Sequence, residues 1–373
     1  MKPITESLNR CALYPGLVLA LLLTACASRE YRVDYEVQAS DAQVWPAPPE
    51  IPRFRYVGTL TGEDNVKPVE EGKRFGDYVT DFFRWVVGLV GPNPIPLVLQ
   101  RPQSGVMDDN GRLYITDVSR QSIMVFDLQK GTLTEWEQAT PNTGFLTPVG
   151  ITLGPAGSIL VVDADLKQVL QLDATGKPVK AFGADTFKRP TGIARDPVKG
   201  RIYVADTHAH DIKVFDDNGA LLNVFGEYGT DGGEFNSPAH LSFAEGLLYV
   251  TDTFNTRVQV LRDSGEFRRE FGKRGLYVGD LVRPKGVATD SEGNIYVIES
   301  FHDHLLVYSA NGEFLLPIGG TGAGIGQFYL PSGVWTDKND RIYIADMFNG
   351  RVVILQYLGG RYARGAVQNA VQP

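Results

Sequence analysis

One phrase recurs so regularly along this chain that it decides the architecture by itself. Gly111-Arg112-Leu113-Tyr114-Ile115-Thr116-Asp117 returns in related form at 158–163, 201–206, 247–252, 294–299 and 341–346. The acids that close the six copies (Asp117, Asp163, Asp206, Asp252, Glu299 and Asp346) are spaced 46, 43, 46, 47 and 47 residues apart. A proline opens every unit, at 102, 148, 190, 238, 284 and 331. Repetition at this period means one supersecondary unit stacked many times, so a length of 373 residues does not mean two or three separate domains.

Each unit holds four short runs rich in Val, Ile, Tyr and Phe, divided by Gly-, Asp- and Asn-containing turns. In the fourth unit they are 241–243, 248–251, 258–261 and 267–271. Four antiparallel strands in about 40 to 50 residues make a β-propeller blade. The expected fold is therefore all-β, a six-bladed propeller with four antiparallel strands per blade. The sixth unit has no fourth run after residue 357. Phe54-Arg55-Tyr56-Val57-Gly58-Thr59-Leu60 is similar to the fourth run of the third unit, 222–226. Residues 54–60 are expected to complete the last blade, because pairing chain start with chain end removes an open edge.

Pro331-Ser332-Gly333-Val334 with residues 341–352, and residues 249–258, carry the pattern of the NHL repeat family, which the chain resembles over about residues 95–357. The resemblance implies the NHL type of propeller. Such modules serve many functions, so it implies no single activity.

The N-terminus has a pattern of its own. Lys2 and Arg10 precede an apolar run at 12–23, too short to span a bilayer. Leu23-Thr24-Ala25-Cys26 resembles the lipobox of bacterial lipoproteins. That resemblance implies cleavage before Cys26 and lipidation of its thiol, and Ala27 points by the same likeness to the outer membrane. The expected organisation is a signal peptide at 1–25, a Pro-rich tether at 26–52, a propeller at 53–358 with an insert at 61–100, and a tail at 359–373. The chain has two cysteines, and Cys11 falls in the leader, so no disulfide framework is available. A net charge of −8 argues against nucleic acid as a partner. The expected partners are an envelope protein and the membrane, the latter through the lipid, with the propeller itself monomeric.

Strands alternate in direction across a blade, so loops joining strands 2 and 3 share a face with loops joining strand 4 to the next blade. This is called the top face. One of its loops, 61–100, is far longer than the rest. Within it, residues 72–90 place Phe75, Phe82 and Trp85 on one apolar helical stripe, ended by Gly91-Pro92. Three uses suit such a helix: a cap over the propeller, a docking site for a partner, or an interfacial segment on the membrane.

The five histidines, His208, His210, His240, His302 and His304, all map to the top face of three consecutive units. Histidine is the commonest metal ligand, and zinc asks for three or four converging groups. His208, His240 and His302 are the metal candidates, and a divalent metal is the only cofactor they suggest. Polar turns also accept histidine with no ligand role. His240 stands where other units carry the Gly of Pro-x-Gly, which marks it as a narrowing of the mouth; Trp335 is a further candidate for the same mouth. The recurrent acids read as structural carboxylates that accept backbone N–H bonds, as do Asp109, Asp196, Asp290 and Asp337 at the turns between strands 1 and 2. Arg257 and Arg351 are expected to pair with such acids.

No nucleophile elbow, phosphate loop or H-E-x-x-H occurs, so no catalytic residue is assigned. The peptidylglycine-amidating lyases, an NHL-type group, hold zinc on propeller-top histidines. Here His240 alone lies beside a blade-leading proline, one residue further from it than in that group. The reading is an envelope-anchored binding scaffold or accessory subunit; the alternative is a metal-dependent lyase or hydrolase centred on His240.

Overall fold

The computed structural model describes residues 30–37, 42–69, 96–360 and 362. Six sheets carry the repeat, and each unit of the sequence is one blade. Blade 4 shows the pattern: Pro238–Ala244, Leu247–Asp252, Arg257–Arg262 and Phe267–Phe271 pair in order, all antiparallel. The inner strands, Pro102–Met107, Pro148–Leu153, Pro190–Asp196, Pro238–Ala244, Pro284–Thr289 and Val334–Thr336, contact one another in a closed ring about a central channel. In five of the six an irregular register follows the leading proline, since a residue without an N–H cannot hold the ladder there.

Apolar side chains leave both faces of every blade and meet those of its neighbours. The result is six separate clusters, one at each blade-to-blade interface, rather than one central core. Second strands are buried along nearly their whole length, whereas outer strands such as Leu221–Phe225 are exposed.

Phe54–Leu60 pairs antiparallel with Arg351–Tyr357, so the sixth blade takes its outer strand from the N-terminal side, as expected. Phe54 and Leu60 are fully buried there, and burial of each side chain stabilises the closure by about 2 kcal/mol. The stretch expected as a tether does something else. Val44–Trp45 adds a fifth strand to blade 6, and Tyr31–Val33 pairs with Val66–Pro68. Val37 N–H donates to Val57 O, and Arg341 donates to both Tyr35 and Glu36. Residues 30–37 and 42–52 thus lie against the propeller instead of holding it away from anything. Cys26 and the apolar stripe with Phe75, Phe82 and Trp85 fall outside the described residues.

Candidate functional site

Because the inner strands all start at the top, residues at equal distance from the leading proline form rings around the channel. The first ring is Gln103, Val149, Thr191, Ala239, Lys285 and Ser332, and it lines the top mouth, a cavity of about 410 Å³. The second ring is Ser104, Gly150, Gly192, His240, Gly286 and Gly333. Glycine prevails here because neighbouring inner strands almost touch: a Cβ on Gly333 would lie 2.2 Å from Gln103 O.

Ser104 and His240 are the two exceptions in that ring, and His240 is the large one. Its Nε2 reaches Ser104 Oγ, 3.5 Å away on the opposite side of the ring, and its ring borders the top cavity and the 430 Å³ cavity below. The channel is therefore divided into two chambers by one side chain. Enclosure in protein, with no acid nearby to favour the cation, lowers the His240 pKa from its ordinary 6.5 to about 4. The imidazole is neutral at pH 7, and Nδ1 is buried without a partner among the described residues.

Of the other candidates, the exposed His208 shares the top mouth with His240. His302 does not. It lies at the end of blade 5, where Nδ1 is 2.9 Å from Glu299 Oε2, beside a small recess that also holds His304. His210 accepts a hydrogen bond from Ser237 N–H and sits edge-on to Tyr228. Among the described residues no three His, Cys, Asp or Glu side chains come together to hold a metal ion. Trp335 is placed on the other side of His240, in the lower chamber, stacked on Tyr343 with its Nε1 buried and unpartnered. Trp335 is four residues past its leading proline and His240 two past its own, so Trp335 lies deeper along the channel.

The recurrent acids do structural work, as their repetition suggested. Asp117, Asp163 and Asp206 each accept two successive N–H groups of the loop entering their own blade. Asp252 and Asp346 also take Arg257 and Arg351, at 2.9 and 2.7 Å. In blade 1 the turn between strands 1 and 2 is held by Asp108 rather than Asp109: Asp108 accepts from Arg112 N–H and Tyr114 O–H, while Asp109 is 90% exposed.

Two cations were missed as site residues. Arg283 and Lys285 flank Pro284 and line the top mouth. The signal was legible, since Lys285 is the one cation in the first ring, at a position otherwise held by Gln, Val, Thr, Ala and Ser. Burial, with the charges of Arg283 and Arg101, lowers the Lys285 pKa below the usual lysine range. The top face also carries an arc of exposed rings, of which His208 and Phe254 line the mouth. The second residue after the closing acid is His208, Phe254, Phe301 and Phe348 in blades 3 to 6, and Ser119 and Asp165 in blades 1 and 2. The three phenylalanines are 66%, 58% and 51% exposed.

Closed ring, four-stranded blades and Pro-x-Gly mouth together define a six-bladed NHL β-propeller. The "6-bladed beta-propeller" family matches residues 281–364, and the NHL repeat family matches residues 187–215. Over 124 residues the chain is 32% identical to peptidyl-glycine alpha-amidating monooxygenase A of Xenopus laevis; the match covers 30% of this chain and 13% of that protein. Virginiamycin B lyase from Staphylococcus aureus superposes with a TM-score of 0.51 at 17% identity, covering 69% of this chain and 95% of the lyase. An auxiliary nutrient binding protein from Bacteroides ovatus gives 0.54 at 16% identity, with 71% of each chain covered. These two structures are alike in fold alone.

Proposed function

We propose that the protein is a binding propeller of the bacterial cell envelope, lipid-anchored at Cys26, whose top face receives a partner or ligand. One observation carries this reading. Four consecutive blades present exposed His208, Phe254, Phe301 and Phe348 at equivalent positions of the top face, His208 and Phe254 lining a preformed cavity, on turns fixed by buried carboxylates. Exposed aromatic side chains grouped on a rigid rim are what a recognition surface requires. Their restriction to blades 3 to 6 makes the face one-sided, so a partner has a defined orientation on it.

The test uses detergent-solubilised envelope. Replacing Phe254, Phe301 and Phe348 together by Ser should abolish capture of the partner while the melting temperature stays unchanged. Capture at the wild-type level refutes the reading. Cys26→Ser should abolish incorporation of labelled fatty acid; retained label refutes the anchor. The shared position of His208 and His240 in the mouth favours a second reading, a metal-dependent lyase or hydrolase. It requires stoichiometric metal in the purified protein, lost on His240→Ala.

A further inference from the structure

We propose that the top mouth binds a carboxylate carried on an apolar body, with Arg283 and Lys285 as its anion-recognition pair. The inference rests on the top face being a recognition surface, and it specifies the chemistry of what enters. A cavity of about 410 Å³ falls within the range of small-molecule sites. No Asp or Glu lines it. Elsewhere in the propeller, several cations with little exposure have acids beside them: Arg120 with Glu135, Arg195 with Asp217, Lys213 with Asp206 and Arg257 with Asp252. Lys285, half-buried, has no side-chain partner among the described residues, and neither has the exposed Arg283 two residues before it on the rim of the same cavity. The acid closest in sequence logic, Glu299, is committed to the Arg283 N–H and to His302. Lys285 is also repelled by Arg283 and Arg101. A bound anion relieves that repulsion.

The walls narrow the choice of ligand. Thr191, Thr207, Thr253 and Ser332 look polar, but their hydroxyls donate to Ala239 O, Pro238 O, Pro284 O and Pro102 O. They have no spare proton for a guest. Val149, Ala239 and Phe254 add carbon surface. These four hydroxyls offer a sugar or polyol no proton. An apolar body loses nothing there. A guanidinium fork with one ammonium can pair with both oxygens of a carboxylate, and the largely apolar wall favours the singly charged carboxylate over the more strongly hydrated phosphate. His240 closes the floor, so the site is blind and is entered from the top face only.

The experiment measures binding to the purified full chain by calorimetry, with phenylacetate, its neutral near-isostere phenylacetamide, acetate and inorganic phosphate as probes. Phenylacetate should bind at one site at least tenfold more tightly than each of the others. Lys285→Gln and Arg283→Gln should each weaken it at least tenfold while leaving the ligand-free melting temperature unchanged or raised. Equal binding of phenylacetamide overturns the anion, equal binding of phosphate overturns the carboxylate, and unchanged affinity in both variants overturns the assigned pair. If no probe binds but the triple Phe→Ser variant still loses its partner, the carboxylate proposal falls and the recognition surface stands.

Discussion

His240 makes the acid response of this propeller predictable. Its pKa lies near 4 in the folded chain and near 6.5 once the ring meets water. Between those values the unfolded chain binds a proton that the folded chain refuses, so stability falls as pH falls through that window. Above 6.5 neither state is charged at this ring and the contribution is flat; below about 4 the full penalty is present. At 1.36 kcal/mol for each tenfold change in proton activity, the loss totals about 3 kcal/mol. A His240→Gln variant keeps a polar side chain in the channel and cannot titrate. Urea unfolding of both proteins at pH 7.5, 6, 5 and 4.2 isolates the effect, because every other acid and histidine is common to them and cancels in the difference. The wild type should lose about 3 kcal/mol more than the variant across the series. A difference that stays constant from pH 7.5 to 4.2 refutes the argument, as does a His240 ring proton whose NMR titration has its midpoint near 6.5.

Three further outcomes follow from contacts described above. Arg257 donates to Asp252, Glu270 and the carbonyls of Thr230, Asp231 and Glu234 from a nearly buried position, so Arg257→Met should cost about 3–5 kcal/mol in urea unfolding. Adding Asp252→Asn to it should recover part of that loss. Gly333→Ala forces a Cβ to 2.2 Å from Gln103 O and should cost about 1–3 kcal/mol, read as a lower melting temperature with earlier proteolysis between blades 6 and 1. Phe54→Ala empties the space against Tyr296 and Tyr357 and should cost about 3–5 kcal/mol by the same unfolding assay.

The blades were legible because every copy solves the same problem. A proline must start the inner strand, and an acid must gather the loop N–H groups at the end of the second, so both recur at fixed distance. Closure by residues 54–60 was legible for the same reason, since that strand resembles the others it replaces. Residues 30–52 belong to no repeat. Their pairing depends on which edge of blade 6 is free in space, and Pro-rich composition by itself reads as a tether. The site divides along the same line. His240 stood out as an exception to a glycine rule, and its height in the channel followed. The separation of His302 from the mouth depends on radius, which a repeat alignment does not encode. The chamber taken by Trp335 depends on where His240 from another blade divides the channel, which no single repeat encodes. Arg283 and Lys285 matter for what they lack, and an absent counter-charge is visible only when all the neighbours are in place.

The clasp formed by the N-terminal segment has a mechanical side. Tyr31–Val33 and Val44–Trp45 precede, in chain order, the strand Phe54–Leu60 that shuts the ring. Tension applied at residue 30 therefore enters the molecule at its seam. It first meets the short ladders of Tyr31–Val33 and Val44–Trp45, and only then the long pairing of Phe54–Leu60 with Arg351–Tyr357. The early ladders act as a fuse: they can yield under load and re-form while blade 6 keeps its outer strand and the ring stays shut.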